Sequence, residues 1–310
     1  MKQNLTQHLF RSAPMMCALM MCALMLTSCN SKERPEAIWL DGGRGQGEVV
    51  YPRAIAYDSQ NDWFYVVDRT ARIQRIDSNG KFLNGWRMPE WEFGKPVGLT
   101  VGPDGNLWIP DTHYHRVMVY SPEGKLIKQF GKEGEGDGEF FLPTDVAFDS
   151  AGNAYVAEYG GNDRIQVFDP DFKFLKSFGH FGRESNEFAR PQSIEIVNDE
   201  LFVVDACNHR VTVLALDGTF KRSFGKSGSA PGEFRFPYGM TIGPGGEIYT
   251  CEFGGTRVQK FSKDGQPLAV WGRQGKLPGE LNYPWGIVLD KRGRLVVVDA
   301  GNNRLQVIRL

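Results

Sequence analysis

The stretch that decides the fold is Pro143-Thr-Asp-Val-Ala-Phe148, Asp149-Ser-Ala-Gly-Asn153, Ala154-Tyr-Val-Ala-Glu158, Tyr159-Gly-Gly-Asn-Asp163, Arg164-Ile-Gln-Val-Phe168. Three short runs rich in Val, Ile, Phe and Tyr are separated by segments of Gly, Asn, Asp and Ser. A fourth run, Phe174 to Phe178, follows the turn Asp169-Pro-Asp171. Runs of this length, with β-branched and aromatic residues between turn-forming residues, read as four antiparallel strands.

Working outward, the same order of proline, apolar run, tight turn, apolar run ending in Asp or Glu, and then Arg recurs six times. The anchoring prolines are Pro52, Pro96, Pro143, Pro191, Pro237 and Pro284, giving periods of 44, 47, 48, 46 and 47 residues. A period of this size with four strands per unit predicts propeller blades rather than a helical solenoid. The fold class is therefore all-β, a six-bladed β-propeller. The sixth unit runs out of chain on its third strand, at Leu310. Trp39 to Pro52 aligns without gaps on Trp271 to Pro284, matching Gly43 with Gly275, Gly47-Glu48 with Gly279-Glu280 and Tyr51 with Tyr283. Ala37 to Leu40 is thus expected to complete the last blade, leaving no open sheet edge at the closure.

The segment Val203-Val-Asp-Ala-Cys-Asn-His-Arg-Val211 resembles the signature of the NHL repeat, and Val297-Val-Asp-Ala-Gly-Asn-Asn-Arg-Leu305 repeats it. The resemblance extends in weaker copies from about Glu36 to the C-terminus. It implies NHL-type blades. It also implies relatives that range from binding platforms for proteins and RNA to lyases and lactonases with a metal in the central channel. The fold alone does not choose among these.

The N-terminus reads separately. Lys2 and Arg11 precede the apolar run Met15 to Leu26, which is too short for a mature membrane span. The run ends in Leu26-Thr-Ser-Cys29, which resembles the bacterial lipoprotein box. The expected organisation is a signal peptide over 1–28, a lipidated Cys29 opening a tether over 29–36, and the propeller over 37–310. The expected location is the cell envelope of a bacterium, with contact to the membrane through the lipid alone. The chain carries 36 basic and 37 acidic residues, a formal net charge of −1, and loss of Lys2 and Arg11 makes the remainder more acidic. That balance speaks against a nucleic-acid partner. Beyond the leader and Cys29, only Cys207 and Cys251 remain, and their expected places on different blades make two separate thiols.

A ring of near-equivalent units separates scaffold from site. The six Asp or Glu residues that precede an Arg, and the six glutamates four positions before each proline, recur too evenly to form one active centre. They read as loop ties made of charge-assisted hydrogen bonds. The departures from the pattern are more informative. They single out Arg53, Gln192, Tyr238 and Trp285 just after their prolines, Asp145 where other blades have Ala, Gly or Ser, and Trp91 in a shortened lead-in loop. With the variable positions Val97 and Thr144, they would frame one concave mouth on the rim formed by the lead-in loops and the loops between second and third strands.

Two functions fit these residues. The first is a binding module that holds a protein, peptide or glycan through Arg53, Trp91, Asp145, Gln192, Tyr238 and Trp285, without a cofactor. The second, implied by the resemblance, is a lyase or lactonase of the amidating-lyase kind, with catalytic candidates Asp145, Glu195, His113 and His180 and a divalent metal. None of the six residues after the prolines is His, which departs from the zinc-binding pattern of that family. No metal ligand set is assigned. His115 and His209 occupy the repeat's own position before Arg116 and Arg210 and are expected to be scaffold.

Overall fold

The computed structural model describes residues 34–310. The leader, Cys29 and the first part of the tether lie outside the described residues. No helix among the described residues is long and apolar enough to cross a membrane.

Six four-stranded antiparallel sheets form the ring, each with its first strand innermost. In the third blade the strands are Leu142–Phe148, Ala154–Tyr159, Arg164–Phe168 and Phe174–Phe178, from channel to periphery. The sequence dictates this layering. Middle strands such as Leu295–Asp299 and Leu107–Asp111 are buried throughout because sheets pack against both of their faces, and they read as continuous apolar runs. Outer strands such as Phe220–Phe224 alternate half-buried and exposed residues.

The last blade is completed from the other end of the chain. Ala37–Trp39 pairs antiparallel with Arg304–Ile308, placing Ala37 opposite Val307, Ile38 opposite Gln306 and Trp39 opposite Leu305. The expected four-residue strand is one residue too long, because Leu40 turns out of it at φ 62°. Trp39 is buried at 5% exposure and meets Phe64 of the first blade edge-on, with ring centroids 5.4 Å apart. The clasp therefore seals the junction between the last and first blades as well as the last sheet.

The acid–arginine pairs are loop ties. Arg164 Nε donates to Glu158 Oε1 at 2.6 Å, while its Nη2 donates to the carbonyls of Gly136 and Glu139. Arg72, Arg210, Arg257 and Arg304 repeat the arrangement on the lead-in loops of their own blades. The glutamate four before the proline closes the loop from inside, as Glu139 does by accepting the N–H of Gly136. Cys207 is exposed and Cys251 buried, and both are free thiols.

Candidate functional site

The first strands converge on a central channel that encloses a cavity of about 690 Å³, lined from all six blades. A device repeated in several blades aims side chains at its mouth. The pairing of first and second strands slips by one residue directly after the proline, between Pro191 and Ser193 and between Pro237 and Gly239, with a matching irregularity after Pro284. Such a bulge leaves the extra residue unpaired and re-aims it. The residues freed are Gln192, Tyr238 and Trp285, and all three line the cavity with Arg53. The strands must also approach closely around a narrow ring. A Cβ on Gly239 would stand 2.9 Å from the Gly286 backbone, so only a small residue fits there.

Thr144 departs from the expectation for its position. It is fully buried, and its hydroxyl donates to the Pro191 carbonyl at 2.6 Å, with the Ala157 carbonyl 3.2 Å away. A hydroxyl that reaches a buried carbonyl of the next blade pairs with it instead of facing the mouth.

At the mouth, cations and aromatic rings interleave. The Arg53 guanidinium lies 5.2 Å from the Trp285 ring, and that of Arg190 lies 4.9 Å from both Tyr159 and Tyr238. Arg190 Nε also donates to Gln192 Oε1 at 2.9 Å. Tyr238 stacks on Phe253 with centroids 4.7 Å apart and meets Trp285 edge-on at 5.1 Å. Burial lowers the Arg53 pKa, and the charges of Arg69 and Arg190 lower it further. Among the described residues Arg53 and Arg190 form no salt bridge, and Arg53 Nε and Trp285 Nε1 have no hydrogen-bond partner within the protein. Arg190, Tyr159 and Phe253 complete the mouth although the sequence reading passed over them. Arg190 left a signal, since the residue before the proline is aromatic or Leu in four of the other blades and basic only here and at Lys95.

Deeper in the channel lie Asp145 and Glu195. Asp145 Oδ2 accepts the N–H of Ile194 on the fourth blade at 3.0 Å, and its Oδ1 accepts the Val146 N–H and faces the Thr100 hydroxyl of the second blade. Burial pushes its pKa up to about 6. Glu195 occupies the next step around the ring. Burial pushes it up to about 8, with the neighbouring Asp145 charge adding to the shift and a hydrogen bond from the Ile242 N–H opposing it. The Asp145 carboxylate thus reaches across a blade junction, and burial favours the protonated form of Glu195.

The histidine candidates do not join them. His113 is half-buried in the turn Thr112–Tyr114, outside the cavity lining, with Gly94 packed against its ring. Burial, followed by the Arg53 charge, lowers its pKa. His180 is largely exposed on a lead-in loop, where its Nε2 lies 3.1 Å from Glu187 Oε1. His115 contacts the Phe141 carbonyl and His209 accepts the Phe236 N–H, both from left-handed backbone positions within the repeat. Among the described residues no three His, Cys, Asp or Glu side chains gather in a way that could hold a metal ion. Trp91 lies outside the channel and lines a separate pocket with Arg69 and Lys95.

Comparison with known proteins places this geometry. A family profile described as "6-bladed beta-propeller" matches residues 182–269, and one described as "NHL repeat" matches 281–308. Peptidyl-glycine alpha-amidating monooxygenase of Mus musculus is 28% identical over 131 residues, covering 40% of this chain and 12% of the relative. NHL repeat-containing protein 3 of Mus musculus is 24% identical over 220 residues, covering 67% of this chain and 50% of the relative. The chain therefore spans half or less of these curated relatives. A solved streptogramin B lyase superimposes with a TM-score of 0.62 at 14% identity, covering 87% of this chain and 96% of that one, a likeness of fold alone. With ring, bulged channel strands and profile matches in agreement, the chain is a six-bladed β-propeller that carries an NHL repeat in its last blade.

Proposed function

We propose that this propeller is a binding module, exported and held at the bacterial cell envelope through a lipid on Cys29, that takes a protein, peptide or glycan at the channel mouth. The observation that carries the reading is the pairing of Arg53 with Trp285 and of Arg190 with Tyr238. Two guanidinium groups without carboxylate partners lie over the rings of Trp285 and Tyr238, which the strand bulges aim into the channel mouth. Cation–π contacts of this kind contribute about 0.5–2 kcal/mol each and hold the guanidinium groups in place while leaving donors free. Aromatic faces beside charged donors suit both sugar rings and peptide side chains. Glycan and peptide arrays probed with the folded domain test the reading, with Arg53→Ala and Trp285→Ala as comparators.

One observation favours a second reading. Asp145 and Glu195 share the channel with pKa values displaced to about 6 and about 8, which at neutral pH gives one mostly ionised and one mostly protonated carboxyl. Such a pair could serve as base and acid in a lyase or lactonase reaction. The hydrogen bond from the Ile194 N–H to Asp145 supports the first reading, because it ties neighbouring blades together. Metal analysis, with turnover assays on lactone and amidated-peptide precursors, separates the two readings.

A further inference from the structure

The lead-in loop of the second blade breaks the ring's pattern in a way that builds a second site. In four blades a glycine at positive φ directly follows the outer strand, namely Gly131, Gly179, Gly225 and Gly272, and Leu40 follows the closing strand in the same way. Each of these glycines packs under a fully buried plug residue three positions before the next proline: Phe140, Phe188, Phe234 or Leu281. At the end of the first blade the glycine position is Arg87, which remains within the strand Phe82–Arg87 opposite Arg72. The loop after it is shorter, and its plug position is Phe93, which is 81% exposed whereas its four counterparts are at 0%. Glu92 receives none of the loop N–H bonds that its five counterparts accept among the described residues.

What this rebuilt loop borders is a pocket of about 480 Å³ whose charged lining is Arg44, Arg69, Arg87 and Lys95, with no carboxylate. Among the described residues none of the four forms a salt bridge. Three of the nearby acids are already committed, while Glu92, on the rebuilt loop itself, does not line the pocket. Asp68 is held by Arg72 at 2.6 Å, Glu90 by Arg116, and Glu48 by the N–H of Gly45. Trp91 organises the cations, since Arg87 and Lys95 lie 5.3 and 5.9 Å from its ring and Lys95 Nζ donates to its carbonyl at 2.6 Å. Burial, followed by the charges of Arg53 and Arg69, lowers the Lys95 pKa. Four like charges around one concavity repel one another, and that repulsion is relieved when an anion enters.

We propose that this pocket is a binding site for an oxyanion, a phosphate or phosphate ester, gripped by Arg69, Arg87 and Lys95. The fork geometry of arginine suits tetrahedral oxyanions, and two or three charge-assisted hydrogen bonds give the grip its strength. A nucleic-acid strand would need a basic track extending well past one pocket. The pocket shares no lining residue with the channel mouth, so either site can fail its test while the other stands.

The test titrates the folded propeller with inorganic phosphate at constant ionic strength. In a parallel arm it measures sedimentation with vesicles of pure phosphatidylcholine and with vesicles of equal parts phosphatidylcholine and phosphatidylglycerol. Saturable uptake of phosphate marks a soluble ligand, and binding confined to the anionic vesicles marks a headgroup. In either case Arg69→Glu and Arg87→Gly, the second restoring the repeat's own residue, weaken binding by about tenfold or more, while Lys81→Ala on a distant turn leaves it unchanged. Absence of binding in both arms overturns the site, as does equal affinity in both variants.

Discussion

The carboxylate of Asp145, on the innermost strand of the third blade, accepts the backbone N–H of Ile194 on the innermost strand of the fourth at 3.0 Å. With the hydroxyls of Thr144 and Thr100, which donate to the carbonyls of Pro191 and Val146, it belongs to a set of hydrogen bonds that join the innermost strands of neighbouring blades. Removing the acceptor leaves a buried N–H unpaired. Asp145→Ala is therefore expected to lower stability by about 1–3 kcal/mol, and Asp145→Asn, which keeps an acceptor, by less. Urea unfolding checks the order of the two.

Glu195 gives a pH dependence with a defined sign. Its folded-state pKa, about 8, stands above its ordinary value of 4.5, so the folded protein holds the proton more tightly than the unfolded chain. The stabilisation is fully present below about 4.5 and is lost as the pH rises toward about 8. The stability of wild type relative to Glu195→Gln should fall across that window. A parallel pair of stability–pH curves would show that Glu195 is not desolvated in this way.

The closure of the ring rests on Trp39. Truncating this buried indole removes its contact with Phe64 and loosens the strand Ala37–Trp39 that completes the last blade. Trp39→Ala is expected to cost about 3–5 kcal/mol, as large-to-small changes at buried aromatic positions do. Thermal unfolding followed by tryptophan fluorescence and by circular dichroism measures the loss.

Equivalent positions in the repeat need not be equivalent in energy. Phe140 and Phe93 each stand three residues before a blade proline, yet one is at 0% exposure and the other at 81%. Phe140→Ala is expected to cost about 3–5 kcal/mol and Phe93→Ala less than about 0.5 kcal/mol. Equal losses would mean that the second-blade loop folds like the others.

Attachment to the membrane is proposed to depend on Cys29. Cys29→Ala should move the protein into the soluble fraction, because the lipid on Cys29 is the proposed contact with the membrane. Membrane recovery that persists through alkaline washing would contradict the anchor.

The blades, their order and the closing strand were legible in the sequence because period, turn residues and apolar runs are local signals that all point one way. The role of the recurring arginines was legible for the same reason, as six copies of one charge pair cannot be six active sites. Thr144 and Asp145 were harder. Their partners, Pro191 and Ile194, lie on the next blade, and no local pattern announces a hydrogen bond between blades. The pocket at Arg69 and Arg87 was hidden differently. It comes from a glycine that is absent and a plug residue that is displaced, which show only when the loops are laid over one another in space. Trp91 was recognised as a pattern break, but its place beside the channel rather than within it came from the packing of that loop.

The central claim is that the mouth framed by Arg53, Arg190, Tyr238 and Trp285 binds a ligand. The most direct measurement is titration of an array-selected peptide or glycan into wild type, Arg53→Ala and Trp285→Ala, each first shown to unfold at the wild-type temperature. We expect saturable binding to wild type and a loss of about tenfold or more in each variant. Equal affinity in all three proteins would contradict the claim.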